Sequence, residues 1–332
     1  MSRASKVVPI LFAAAALLIT APIASAVPGG FSLDSSVNIT VGTGPDVVTG
    51  GPNGSLWVGN DGASTISIIN PLTNTVTRTI NSGSHPDGIV FSLSGDTAYV
   101  INDNKATVSR INTTTWTGTG TVKIGSTPYG LAITPNGRYL YTANSGSKSV
   151  SVIDTATFKV TKTITVGKSP YDSAITPNGS YALVTNYDSK SVSVINTATN
   201  AVYKTITVGT NPYSVAVNPD GTAAYISNDG SSTVSVISLS TWTVTKTVNV
   251  GKHPWSLSGC HSGVSSAWDY LLVPNNTGKS VSVVTLPSGS VTQTISLGVA
   301  PNAISALQSG LCSDGMWIAD GVAKKVQKLK FT

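Results

Sequence analysis

Residues 160–196 read VTKTITVGKSPYDSAITPNGSYALVTNYDSKSVSVIN. Residues 160–166 alternate valine or isoleucine with threonine or lysine. Residues 191–195 read SVSVI, in which serine and valine alternate before the final isoleucine. This pattern is typical of half-buried β-strands, and helical spacing is not sustained anywhere in the stretch. Asn178-Gly179 has the composition of a hairpin turn. The stretch therefore predicts short antiparallel strands that are joined by tight turns.

A glycine followed three residues later by proline recurs along the chain. The seven copies are Gly42 with Pro45, Gly83 with Pro86, Gly125 with Pro128, Gly167 with Pro170, Gly209 with Pro212, Gly251 with Pro254 and Gly298 with Pro301. The first six prolines lie 41 or 42 residues apart, and the last interval is 47. A fixed period in this range is typical of solenoids, propellers and arrays. Four short antiparallel strands in each unit give the size of a propeller blade.

The last unit holds only three strands, near residues 303–306, 315–319 and 325–329. The missing fourth strand is present at the other end of the chain, as residues 36–41. We therefore predict an all-β fold: a seven-bladed β-propeller with four antiparallel strands per blade, closed by the N-terminal strand, which completes the C-terminal blade. The blades begin near residues 45, 86, 128, 170, 212, 254 and 301. An open β-solenoid is the alternative, and closure into a ring leaves fewer exposed strand edges.

The N-terminal segment has the three parts of a signal peptide. Arg3 and Lys6 supply positive charge, residues 7–21 are apolar, and residues 24–26 read Ala-Ser-Ala. A membrane anchor is the alternative, but the apolar run is shorter than the roughly 20 residues that span a bilayer. We expect cleavage after Ala26 and a single propeller domain from residue 27 to 332. The expected product is secreted and extracellular, has no membrane anchor and is monomeric.

Composition limits the chemistry that the chain can perform. The 20 basic and 14 acidic side chains are spread along the whole sequence, which does not favour nucleic acid as a partner. The sequence contains no glutamate and only three histidines, His85, His253 and His261. Metal centres built on several histidines are therefore excluded, as is c-type haem. We expect neither a metal nor another cofactor, and any acid or base must be an aspartate or a lone histidine.

The second strands carry a resemblance to a known family. Residues 99–102, 141–144 and 225–228 read YVIN, YTAN and YISN, and variants end at Asn60, Asn186 and Asn275. These tetrapeptides resemble the repeat that names the YVTN family of β-propellers, which includes YncE-like secreted proteins. The resemblance implies a propeller over essentially the whole chain that follows residue 26. It leaves function open, because the family includes surface-layer proteins, nucleic-acid binders and relatives of lactonases and antibiotic lyases.

The residue that follows each repeat proline departs from the repeat. In a propeller this position stands at one mouth of the central channel. Around the ring it is Asp46, Asp87, Tyr129, Tyr171, Tyr213, Trp255 and Asn302. An aromatic arc that faces an acidic arc suits a sugar or another planar ligand. The alternative is that the rings only plug the channel.

These positions favour a secreted binding or scaffold protein, whose partner is a small molecule, a glycan or a cell-surface ligand. The alternative is a secreted lyase or lactonase-type hydrolase that acts at the same mouth. The resemblance implies glutamate ligands for such enzymes, and this sequence has none. The weak catalytic candidates are His85 and His253, which precede repeat prolines, and Asp172. A histidine close to Asp46, Asp87 or Asp172 could act as a general base.

Cys260 and Cys312 are the only cysteines. In an exported protein they are candidates for a disulfide. Each falls between the first and second strands of its own blade, and the two blades are neighbours. We expect a bridge between blade six and the blade that closes the ring, with two free thiols as the alternative.

Overall fold

The computed structural model describes residues 30–263 and 267–332. The predicted signal peptide, residues 1–26, lies outside the described residues. The strands form seven four-stranded antiparallel sheets, and the innermost strands of neighbouring sheets contact one another around a ring. The predicted seven-bladed β-propeller is confirmed.

Each blade consists of an inner, a second, a third and an outer strand. The inner strands are β2 (Pro45–Gly50), β6 (Pro86–Phe91), β10 (Pro128–Ile133), β14 (Pro170–Ile175), β18 (Pro212–Val217), β22 (Ser258–Cys260) and β26 (Pro301–Ala306). The second strands are β3 (Leu56–Asn60), β7 (Thr97–Asn102), β11 (Tyr139–Asn144), β15 (Tyr181–Asn186), β19 (Ala223–Asn228), β23 (Tyr270–Asn275) and β27 (Met316–Asp320).

The third strands of blades three to six carry the Val-Ser-Val pattern, and the outer strands are the most exposed. The third strands are β4 (Thr65–Asn70), β8 (Thr107–Asn112), β12 (Ser149–Asp154), β16 (Ser191–Asn196), β20 (Thr233–Ser238), β24 (Ser280–Thr285) and β28 (Lys325–Phe331). The outer strands are β5 (Thr75–Asn81), β9 (Gly118–Lys123), β13 (Lys159–Thr165), β17 (Ala201–Thr207), β21 (Thr243–Asn249), β25 (Ser290–Ser296) and β1 (Phe31–Thr40).

Short 3₁₀ turns connect some of the strands. One follows an inner strand in blade one, at Pro52–Gly54, and another in blade seven, at Cys312–Asp314. The others follow second strands, at Asp61–Ala63, Asp103–Lys105, Ser145–Ser147, Tyr187–Ser189 and Asp229–Ser231. The turns after second strands lie at the same end of the blades as the glycine-to-proline links.

The ring closes where β1 pairs with β28 in an antiparallel ladder. The strand begins at Phe31, five residues before the predicted start, and a bulge lies between Leu33 and Asn38. The Phe31 ring packs against Tyr270 with centroids 5.6 Å apart. The Gln293 carboxamide accepts a hydrogen bond from the Phe31 N–H and donates one to the Phe31 carbonyl. The first part of β1 has no counterpart in the repeat, so periodicity did not reveal it.

The hydrophobic core is divided among the interfaces between neighbouring blades. Each cluster of buried side chains joins two adjacent sheets; Val150 and Val152 of blade three, for example, share a cluster with Ala182 and Val184 of blade four. The cluster between blades seven and one contains Val37, Ile39 and other apolar residues of β1, β3 and β27. Burial of these surfaces stabilises each blade only through its neighbours, so ring closure contributes to every blade.

The repeated asparagine fastens the second strand to the third. In blade four, the Asn186 Nδ2 group donates to the hydroxyls of Ser191 and Ser193, at 3.2 and 3.0 Å. The same pair of bonds occurs in blades one, two, three, five and six. A Cβ atom at Gly167 would lie 2.6 Å from the Asn186 carboxamide, which explains the glycine of the repeat. The partners are thus hydroxyls of the next strand and not the backbone of the turn that follows the asparagine.

The predicted disulfide between Cys260 and Cys312 is confirmed, with the Cα atoms 5.1 Å apart. Cys260 is the last residue of the short strand β22, and Cys312 begins the 3₁₀ turn that precedes β27. Both sulfur-bearing residues are fully buried. The bridge ties blade six to blade seven, the blade that the two ends of the chain build together.

Removal of β1 tests the closure. A chain that starts at Thr43 exposes the edge of β28 and uncovers the partners of buried Phe31, Val37 and Ile39. Each such side chain contributes about 1.5–3 kcal/mol when buried. We expect a much lower melting temperature and self-association through the free edge, measured by thermal unfolding and light scattering.

Two point variants of the full chain serve as a matched pair. Ile39→Asn places a polar group in the core and should lower the melting temperature strongly, whereas Thr40→Asn changes an exposed neighbour and should not. A truncated protein that stays monomeric and melts like the full chain would contradict closure by β1.

Candidate functional site

The residue after each repeat proline lies in a break of the strand ladder. In blade three, Pro128 pairs with Asn144 and Leu131 with Thr142, so Tyr129 and Gly130 are not in register. Equivalent breaks follow the repeat prolines of blades one, two, four, five and seven. An irregularity of this kind turns a side chain away from the sheet face. It allows the post-proline side chain to enter the channel without disturbing the rest of the strand.

The residue before the proline is held in the left-handed region of backbone conformation. The φ angles at these positions lie between +32° and +61° in blades one to six, at Gly44, His85, Thr127, Ser169, Asn211 and His253. Such a conformation costs a non-glycine residue about 1–3 kcal/mol. Its carbonyl group accepts a hydrogen bond from the backbone N–H that follows the repeated asparagine of the same blade, as between Ser169 and Tyr187 at 2.9 Å. This hydrogen bond fixes the backbone conformation before the proline, at the channel mouth.

All seven post-proline side chains line one cavity of about 160 Å³ at the channel mouth. Each is half-buried. In six of the blades the next residue along the chain also lines the cavity; Gly130, Asp172, Ser214 and Ser256 are among these residues. The geometry brings the predicted positions together; their role as ligand contacts stays a prediction.

The four aromatic residues of the mouth stack on one another. The rings of Tyr129 and Tyr171 lie 4.3 Å apart and 15° from parallel, and those of Tyr171 and Tyr213 lie 4.2 Å apart. Trp255 is within 2° of parallel to Tyr213, at 5.6 Å. The Tyr213 hydroxyl also donates to the Tyr171 hydroxyl at 3.0 Å. Both inner rings of the arc are therefore covered by neighbours, and a ligand meets ring edges, hydroxyls and the two end rings.

The acidic side of the mouth contains two carboxyl groups that share a proton. Asp87 is a hydrogen-bond partner of Asp46, which also accepts from the Asn302 amide at 2.9 Å. Burial, and then the negative charge of neighbouring carboxylates, raises the pKa of Asp87 to about 8. Burial also raises the pKa of Asp46, while the Asn302 amide acts in the opposite direction. Two adjacent buried carboxyls cannot both ionise cheaply, so Asp87 keeps its proton at neutral pH.

Asp172 links blades four and five. Its Oδ2 atom accepts from the Ser214 hydroxyl at 2.7 Å and from the Val215 N–H at 3.0 Å, while Oδ1 accepts from the Ser173 N–H. Burial raises the pKa of Asp172, and these three donors offset part of that effect. No histidine is among its hydrogen-bond partners within the described residues, so the structure gives it a bridging contact rather than the base-orienting contact considered from sequence.

The two mouth histidines pair with aspartates that the sequence analysis did not consider. His85 Nδ1 lies 2.7 Å from Asp61, and His253 Nδ1 lies 2.8 Å from Asp229. Each aspartate directly follows the repeated asparagine of the preceding blade, so the partner comes from the turn beside the rim and not from the post-proline position. The equal spacing of 24 residues in both pairs is the sequence signal that could have revealed them.

Asp229 also forms hydrogen bonds with residues on the aromatic side of the mouth. It accepts the Trp255 indole N–H at 3.1 Å and the Tyr187 hydroxyl at 3.0 Å, in addition to its contact with His253. Tyr187 packs near Tyr171 and Tyr213, with centroids 5.9 and 6.4 Å away. Tyr187 and Asp229 are thus site residues that the post-proline pattern missed.

Residues 30–263 and 267–332 contain no cluster of three or more histidine, cysteine or aspartate side chains with the arrangement of a metal site. The same residues contain no helix with the length and apolarity needed to cross a bilayer.

A comparison with protein families agrees with this architecture. The model of the YNCE-like beta-propeller family matches residues 89–181 and 139–223, which run from blade two to the start of the second strand of blade five. The remaining blades repeat the same strands and links. Over residues 89–223 the chain is therefore similar to the YNCE-like β-propellers, and the same propeller fold continues through the other blades.

Two further proteins are similar to this chain. A chain of Kuenenia stuttgartiensis hydrazine synthase superposes with a TM-score of 0.75 over 86% of this chain and 95% of that one, at 18% sequence identity. At this identity the likeness concerns the fold alone. The PE-PGRS family protein PE_PGRS18 of Mycobacterium tuberculosis is 44% identical over 48 residues, which are 14% of this chain and 10% of that protein.

The shared proton of the mouth predicts a pH-dependent effect on stability. The Asp87 pKa is near 8 in the folded protein and about 3.9 in an unfolded chain. Between these pH values the folded state binds a proton that the unfolded chain has released, so this group lowers stability progressively as pH rises from about 4 to 8. Asp87→Asn is neutral at every pH and removes that loss.

We expect the melting temperature of Asp87→Asn to match the wild type near pH 4 and to exceed it by several degrees at pH 8 and above. Asp220→Asn, in the exposed hairpin turn of blade five at the opposite end of the propeller, is the matched control. Thermal unfolding across this pH range decides the matter. A gain for Asp87→Asn that is the same at pH 4 and pH 8 would argue against the shared proton.

Proposed function

We propose that this protein is an exported binding propeller that takes a small ligand at the channel mouth. The observation that carries the proposal is the convergence of the seven post-proline side chains on one cavity. At these positions the residue changes around the ring from aspartate to tyrosine, tryptophan and asparagine. Aromatic surface combined with a few polar groups in a concave site is the usual composition of a ligand pocket.

The stacked rings support a specific form of this site. Tyr171 and Tyr213 are covered on both sides, so they act as the fixed back wall of the cavity. Tyr129 and Trp255 end the arc and border the polar residues Asp87 and Asn302 of the neighbouring blades. A cavity remains although the rings pack tightly, which favours ligand binding over a plug that only fills the channel.

A ligand screen tests this function. Glycans, lactones, organic amines and peptides are added singly, and a ligand of the folded state raises the melting temperature. Trp255→Ala should weaken the binding of any hit roughly tenfold or more, because it removes an end ring of the arc. Trp116→Ala is the control, since that indole lies in the turn between β8 and β9, away from the mouth.

Affinity that survives Trp255→Ala would place the binding site elsewhere. A hit that the protein converts to product would instead support the alternative of a lyase or hydrolase at the same mouth.

Export is part of the proposal, and the disulfide supports it. Disulfides form and persist mainly in oxidising compartments, and the N-terminal segment has the charge, apolar run and small residues of a signal peptide. We expect the mature propeller to be residues 27–332, monomeric and extracellular.

Mass spectrometry of unreduced protein collected from the medium tests export and oxidation together. The expected mass starts at Val27 and increases by two hydrogens on reduction. Substitution of Ala24 and Ala26 by bulky residues should abolish this processing. Protein that stays in the cell with Met1 or Ser2 at its N-terminus would contradict export.

A further inference from the structure

The acidic side of the mouth has little positive charge to balance it. Blades one and two place four carboxyl groups there, those of Asp46, Asp61, Asp87 and Asp103. Of these, only Asp61 forms an ion pair among the described residues, with His85. The nearby Lys105 ammonium donates to the Gly83 carbonyl at 2.8 Å. A proton is therefore the positive charge that Asp46 and Asp87 share when no ligand is bound.

An aromatic ring stands next to these carboxyl groups. One side of the Tyr129 ring stacks on Tyr171, and no other ring contacts Tyr129 among residues 30–263 and 267–332. The neighbour on its other side along the mouth is Asp87, from blade two. Burial, together with the negative charges of Asp103 and Asp87, raises the pKa of the Tyr129 hydroxyl, which places it close to the acidic groups.

An aromatic face beside carboxylates is the chemistry that recognises an alkylated ammonium ion. The ring attracts the cation through its quadrupole, the apolar substituents pack on the ring, and the carboxylates neutralise the charge. A neutral sugar carries no charge that could take the place of the proton between Asp46 and Asp87. We propose that the mouth takes a small organic cation, seated between Asp87, Asp46 and the face of Tyr129.

This inference rests on the proposed function, because it names the ligand class of the same cavity. The cavity volume of about 160 Å³ limits the cation to a small molecule of the size of choline. The cation takes the place of the shared proton, so the binding of one cation should release one proton. A neutral ligand of the same shape should bind without that release.

The experiment compares choline with its neutral isostere 3,3-dimethyl-1-butanol by titration calorimetry, in buffers of different ionisation enthalpy. We expect choline to bind and the isostere to bind at least roughly tenfold more weakly. Choline keeps its charge at all pH values used. Its affinity should therefore rise with pH, by up to about tenfold per unit, until the Asp87 proton is lost near pH 8, and then level off.

Other titratable groups face this site and enter the analysis of the pH profile. They are Asp46, Asp61, Asp103, His85 and Tyr129. Asp61→Asn provides the comparison, because it removes a neighbouring charge and the partner of His85 but leaves the shared proton in place. It should lower the affinity for choline and keep the proton release.

Variants of the two central residues separate their roles. Asp87→Asn should weaken choline binding by roughly tenfold or more at pH 8.5 and abolish proton release, because no carboxyl remains to titrate at this position. Tyr129→Leu should weaken binding by roughly 3- to 30-fold, whereas Tyr129→Phe, which keeps the ring, should change it little. Asp220→Asn is the control at the opposite end of the propeller. Thermal unfolding confirms that each variant is folded.

The results that overturn the inference are distinct from those that overturn the proposed function. If a neutral glycoside binds at the mouth, loses affinity in Trp255→Ala and is not displaced by choline, the ligand class is wrong and the function stands. If calcium chloride reproduces the proton release and choline does not, the site is for an inorganic cation. If no probe binds, both proposals fail. Choline binding that is unaffected by Asp87→Asn also refutes the site.

Discussion

The carboxamide nitrogen of the repeated asparagine donates to two hydroxyls of the next strand, and this pair of bonds recurs in six blades. The asparagines are almost completely buried, so the bonds are shielded from competition with water. Glycine is required where the incoming outer strand passes the carboxamide, since a Cβ atom at Gly125 or Gly251 would collide with it. One contact thus explains three features of the repeat: the glycine, the asparagine and the alternating serines.

The mouth depends on this contact indirectly. With the second and third strands fixed, the N–H of the residue after each asparagine donates to the carbonyl of the residue before the repeat proline of the same blade. That bond holds a left-handed backbone turn, and the proline then directs the following side chain into the channel. The irregular pairing at this point is tolerated because the ladder resumes within two or three residues.

The sequence was sufficient for the blades, the closing strand and the disulfide, because each of these left a periodic or pairwise mark. It was also sufficient to select the seven positions that meet at the mouth. It did not reveal how those side chains arrange themselves. Stacking of Tyr129 on Tyr171 and sharing of a proton between Asp46 and Asp87 depend on distances between blades that a single repeat unit does not encode.

The early part of β1 and the histidine partners were missed for different reasons. Phe31 lies outside the repeat and is held by contacts with Tyr270 and Gln293 of blade six, which no local pattern predicts. The partners of His85 and His253 do follow a pattern, but it links the turn after the second strand of one blade to the start of the next blade and is seen only when two units are compared. Long-range and inter-blade contacts account for most of what the sequence left open.

Because strand pairing is broken after each repeat proline, the residues that line the channel mouth can change in evolution independently of the residues that maintain the fold. Each mouth residue belongs to a different blade and lies outside the ladder that holds that blade together. A mutation there alters one sector of the wall and leaves the strand register unchanged. The same ring can therefore acquire new recognition chemistry one blade at a time, while the strand pairing that holds each blade together stays the same.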